Sequence, residues 1–141
     1  MAKKNKEQDQ QSTDDAIILM FLDLVEKDGI ELDLTLSING VVVSGTLISA
    51  TTYYEGVTEA SKELHDGTMS KIIAKKFSDL KEEYAKQKEE EEESESSPLT
   101  FIHLKNATYL NNGIQLPPNH HGTWWRGRIA SIDGFSVNDL K

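Results

Sequence analysis

The chain has 141 residues, of which 37% are hydrophobic and 28% charged, enough for one modest core. Lys plus Arg number 15 against 24 Asp plus Glu, and the resulting net charge of -9 opposes casual binding to nucleic acid or anionic lipid. Cysteine is absent, which excludes disulfides, thiolate metal sites and a cysteine nucleophile together. The charge is uneven: residues 1–11 sum to +1, 12–57 to -7, 58–97 to -5 and 98–141 to +2. The C-terminal stretch is therefore the one mildly basic region.

The opening residues 1–12 are rich in Lys, Gln, Asp and Asn and have little to bury, so a disordered tail is expected there. Its lysines are not followed by the apolar stretch of a secretory signal. Ala16 to Leu22, the longest apolar cluster, falls short of the roughly 20 residues that a membrane span needs. A cytoplasmic protein with no membrane partner is expected. Thr13 or Asp14 can cap a helix whose apolar positions Ile17, Met20, Phe21, Leu24 and Val25 follow helical spacing, widened by Ile18 and Leu22. Asp28-Gly29 supplies its stop.

From Ile30 the period changes to two, with Ile30, Leu32, Leu34, Leu36 and Ile38 alternating with polar residues. Asn39-Gly40 then signals a two-residue hairpin, in which Ile38 faces Val41 and Gly40 supplies a positive φ. In that register Val43, Gly45 and Leu47 share the buried face, with Val42 and Ile48 on the other. From about Val57 to Gln87 the pattern is again helical, with Met69, Ile73, Phe77, Leu80 and Tyr84 in a stripe and a break near Asp66-Gly67. The stripe suits either packing within the chain or pairing with a second copy. Glu89 to Glu95 is an acidic tract that reads as a linker or as a contact for a basic patch.

Leu99 to Tyr109 alternates weakly, Asn111 to Gly122 reads as a turn-rich loop, and Thr123 to Ile132 reads as a strand before a turn at Asp133-Gly134. Two segments share a glycine-centred strand pattern, Ser44-Gly45-Thr46-Leu47-Ile48-Ser49-Ala50 and Arg126-Gly127-Arg128-Ile129-Ala130-Ser131-Ile132. Glycine inside a strand marks a bulge, a bend or a close backbone approach, so Gly45 and Gly127 point to a strongly bent sheet. The expectation is an α+β fold: a small bent antiparallel sheet or barrel of Sm-like or SH3-like plan, with an N-terminal helix and a long helical insertion. Residues 13–141 form one domain in this reading, with the helical and acidic insertion at about 57–97.

No catalytic constellation accompanies this plan. His65, His103, His120 and His121 lack the spacing of a helix-borne metal site and read as surface or loop histidines, so neither metal nor cofactor is expected. Glu31 and Asp33 share the wet face of a strand, where solvation is their role. The aromatic and basic cluster Trp124, Trp125, Arg126 and Arg128 has the character of an interaction site, with one tryptophan inward and the other outward. The alternative use of that strand is base stacking in an Sm-like RNA-binding module, which the net charge disfavours.

Several runs, taken in order, resemble the gas vesicle accessory protein U family: Met20 to Leu24 leading into Gly29 to Leu32, Gly45 to Ser49, Phe101 to Lys105, and Trp125 to Ile129. The likeness covers roughly residues 15–137. It implies a non-enzymatic cytoplasmic protein acting in gas vesicle assembly or clustering, with vesicle proteins as partners; further copies of itself are the partner expected from the residues. Salt-sensitive self-association is the mechanism expected from its opposed charge regions.

Overall fold

The structure, a computed structural model, describes residues 15–64, 66–93, 100–111, 113–116 and 122–138. Thr13, Asp14, the N-terminal tail, the end of the acidic tract, His65, His120 and His121 lie outside the described residues. The chain divides into two compact units, Met1–Ile48 with Pro98–Lys141, and Ser49–Ser97. Among the described residues the first holds one α-helix and a six-stranded antiparallel sheet; the second is helical.

Helix α1 spans Ala16–Asp28. Its cap is Asp15, whose side chain accepts from the Ile17 N–H at 2.7 Å, and Gly29 closes it at φ 68° with its N–H on the Val25 carbonyl. The residues it buries are Ile18, Leu22 and Val25, each contributing roughly 1.5–3 kcal/mol. Ile17 and Met20, expected on the buried stripe, are half exposed at 54% and 50%. The core therefore touches a face of the helix rotated by one residue from the one expected.

Strands β1 (Leu32–Ile38) and β2 (Val41–Ile48) form the expected hairpin with Ile38 opposite Val41. Asn39 and Gly40 take φ of 50° and 82°, the two positive values that a type I′ turn needs. Leu34, Leu36, Val43 and Leu47 are buried together with the α1 residues, Ile102, Leu104 and Ala107 in one core. On the opposite face Thr35 bonds Ser44 at 2.7 Å, and the Thr46 hydroxyl donates to Asp33 at 2.6 Å. Glu31 meets Lys105 at 2.6 Å. The two acidic residues thus join cross-strand pairs instead of being merely solvated.

Strand β3 (Phe101–Asn111) is the longest and carries β4 (Ile114–Leu116) on one end and β5 (Thr123–Arg128) on the other. Strand β6 (Gly134–Val137) pairs with β1, giving the order β4-β3-β2-β1-β6. The sheet is open, so the barrel alternative does not hold: among the described residues β6 at one edge pairs only with β1, and β4 and β5 at the other pair only with β3. Two elements differ from expectation. The turn-rich loop contains β4, reached by a hairpin in which Asn111 faces Ile114. The strand expected to reach Ile132 ends at Arg128, where Ile129–Ser131 forms a 3-10 turn that buries Ile129.

The weak alternation of β3 has a specific cause. Between Ser44 and Thr46 the register with β3 jumps from Thr108 to Lys105, so Gly45 on β2 faces both Asn106 and Ala107. The β3–β5 ladder skips at the same place. Asn106 takes φ 53°, a left-handed value tolerated by Asn, and this bulge returns Ala107 to the core face beside Leu104.

In the second unit, α2 (Ala50–Ser61) begins at Ser49, whose hydroxyl accepts from the Thr52 N–H at 3.1 Å. Asp66 caps α3 (Gly67–Glu93), accepting from the N–H groups of Thr68 and Met69 at 2.9 and 3.1 Å. The insertion is thus two helices, and the first begins seven residues before Val57. They pack through small residues: Val57, Thr58, Ser61, Ser70 and Ala74 are buried, and the Ser70 hydroxyl donates to the Ser61 carbonyl at 2.7 Å. Further along, the Tyr54 and Tyr84 rings lie 5.6 Å apart.

Candidate interaction surface

The ladder between β3 and β5 sets Phe101 opposite Arg128, Ile102 opposite Gly127, His103 opposite Arg126 and Leu104 opposite Trp125. Because strand residues alternate between faces, Trp125 and Gly127 share the core face, while Trp124, Arg126 and Arg128 share the other. Trp125 packs against the core cluster and Trp124 is half-buried.

Glycine is what admits the Trp125 indole. A Cβ on Gly127 would stand 2.3–2.9 Å from three carbons of that ring, so the indole occupies the space a side chain would take. Gly45 faces the bulge at close range, with a Cβ there 3.0 Å from the Lys105 carbonyl oxygen. Gly122, at the entrance to β5, is tighter still, for a Cβ would come within 2.2 Å of the Asn106 carbonyl carbon. Gly40 has open space around it and serves the hairpin through its φ alone.

On the other face, Arg126 is held from two sides. Its Nε donates to His103 Nε2 at 3.2 Å, and its Cζ lies 3.8 Å over the centre of the Phe101 ring. His103 is 5% exposed, so it is a strand histidine within the protein and not the surface or loop residue expected from sequence. Burial first, and then the neighbouring Arg126 charge, lowers its pKa from 6.5 to about 4. It is therefore neutral at pH 7, with the Nε2 lone pair available to accept from Arg126.

Among the described residues no carboxylate lies within ion-pair distance of Arg126 or Arg128, although both arginines are exposed. The four N–H groups at the tip of Arg126 make no hydrogen bond within the described chain. Two forked cations with a neighbouring indole are thus presented outward, a chemistry suited to carboxylate-bearing surfaces. Phe101 and His103, which orient Arg126, were not among the expected site residues; their signal is the alternation that sets them opposite Ile102 and Leu104.

Among the described residues no group of three or more His, Asp or Glu is arranged to hold a metal ion. No described helix is long and apolar enough to cross a membrane. No curated protein and no solved structure gives a significant match to the chain. A family model, described as gas vesicle protein GvpU-like, matches residues 15–140, nearly the whole length. The chain belongs to the GvpU-like gas vesicle protein family.

Proposed function

We propose that this protein is a non-enzymatic cytoplasmic accessory factor that binds at the gas vesicle surface and promotes assembly or clustering by associating with itself and with vesicle proteins. The observation that carries the reading, beside the family, is the pair of exposed arginines on β5 with no carboxylate partner among the described residues. Arg126 is preorganised by Phe101 and His103, so little side-chain freedom is lost when a partner carboxylate binds. Arg128 and the half-buried Trp124 extend the same face, and aromatic and arginine side chains dominate interface energetics. Linking large particles requires several weak contacts, which add through effective concentration when each vesicle carries many copies.

Co-sedimentation with purified gas vesicles tests the proposal. Wild-type protein is expected to pellet with vesicles at low salt, and Arg128→Glu and Trp124→Ala to shift most of the protein to the supernatant. Trp125→Ala is a poorer probe, since that ring belongs to the core. Equal pelleting of all three proteins, or none by the wild type, would remove this surface as the contact.

A further inference from the structure

Helix α3 has an apolar surface that its own unit leaves exposed. The buried and half-buried positions include Ser70, Ile73, Ala74, Phe77 and Tyr84, whereas Met69, Ile72 and Leu80 are exposed at 53%, 56% and 46%. These three continue through exposed Lys76, Glu83 and Gln87 at intervals of three and four residues, the spacing of one helix face. Neither Lys76 nor Glu83 has an ion-pair or hydrogen-bond partner among the described residues. The charge of α3 is polarised as well: residues 67–81 carry four Lys and one Asp, a sum of +3, and residues 82–93 carry two Lys and seven Glu, a sum of -5. This runs against the helix's own dipole, with no acidic residue in its first turn and no basic residue in its last. Both features are unfavourable for an isolated helix.

We propose that this stripe is the contact between two copies of the chain, with the α3 helices antiparallel and crossing at Leu80. The proposal rests on the self-association reading above and names its surface. Lys76 and Glu83 stand four and three residues either side of Leu80, so a two-fold axis there brings each Lys76 beside Glu83 of the second copy, twice per pair. Leu80 meets its own counterpart at the axis, the basic half of each helix lies along the acidic half of the other, and each dipole end faces the opposite end of its neighbour. A parallel pair would instead set Lys76 against Lys76 and Glu83 against Glu83, which is repulsive. Met69 and Ile72 then lie over the Gln87 region, where long polar side chains cover apolar surface with their stems.

Sedimentation velocity of the full chain at low salt tests the pairing. Lys76→Glu and Glu83→Lys are each expected to weaken self-association by about tenfold or more, since two pairs per dimer become repulsive at once. The Lys76→Glu/Glu83→Lys double variant is expected to recover it, because exchanging the signs restores both pairs. Both positions are exposed helix sites, and far-ultraviolet circular dichroism checks that helicity is unchanged. A second measurement uses the lack of native cysteine. Under mild oxidation Leu80→Cys is expected to give a disulfide-linked dimer and Ile72→Cys not to, since the two copies of position 72 are about 24 Å apart along the axis. Single charge variants that associate as the wild type does, or equal cross-linking at both sites, would overturn this surface and leave self-association standing. A wild type that stays monomeric at every salt concentration would overturn both.

Discussion

At Gly122 and Gly127 the requirement is for space, because a Cβ at either would fall within 2.2–2.9 Å of existing atoms, whereas Gly134 has none within 4 Å. The obstacle at Gly122 is the Asn106 backbone; at Gly127 it is the Trp125 ring. Alanine at either position is expected to cost about 1–3 kcal/mol of unfolding free energy, and Gly134→Ala to be neutral or stabilising by about 0.4–1 kcal/mol, as measured by urea denaturation. The two obstacles also separate by rescue: Trp125→Leu in the Gly127→Ala background is expected to recover part of the loss, and to recover nothing with Gly122→Ala.

His103 gives the residue-scale dependence on pH. Its folded pKa of about 4 lies below the ordinary 6.5, so between these values the unfolded chain takes up a proton that the folded protein refuses. Its contribution is present above pH 6.5, declines as the pH falls toward 4, and changes no further below. The full swing is on the order of 3 kcal/mol. His103→Gln keeps an acceptor for Arg126 Nε while removing the titration. The difference in stability between pH 7 and pH 4.5 is expected to be smaller in the variant than in the wild type; equal differences would show that the imidazole titrates alike in the folded and unfolded states.

Among the elements, those with local chemical punctuation were legible in sequence. The β1–β2 hairpin register follows from Asn39-Gly40 and strict alternation, and the end of α1 follows from Gly29. Where tertiary packing decides, the reading moved. The face α1 buries is rotated, because both of its sides carry apolar residues and the sheet selects Ile18, Leu22 and Val25. The start of α2 was masked by the β-favouring run Thr51 to Tyr54; the legible signal was Ser49, a capping hydroxyl with Thr52 three residues on. In β3 the bulge at Asn106 breaks the period of two, and beyond the tolerance of asparagine for a left-handed φ nothing local in Lys105-Asn106-Ala107 announces it. The site was half legible for the same reason: Trp124, Arg126 and Arg128 are adjacent in sequence, but Phe101 and His103 reach them only through the β3–β5 ladder.

For the whole molecule the question is whether its charge opposes or promotes association. A net charge of -9 makes two copies repel at long range, so on that ground alone association would strengthen as salt screens it. The uneven distribution argues the other way at short range, where the acidic Glu89–Glu93 run of one copy can meet exposed arginines or the basic half of α3 on another. Replacing those five glutamates by glutamine separates the two effects, since the net charge falls in magnitude from -9 to -4 while the tract is lost. If general repulsion governs, light scattering at low salt shows larger species for the glutamine variant. If the tract is a contact, the species shrink despite the lower repulsion. The second outcome is expected, together with a decline of wild-type association from about 0.1 M to 1 M salt as the screening length drops from about 10 to 3 Å.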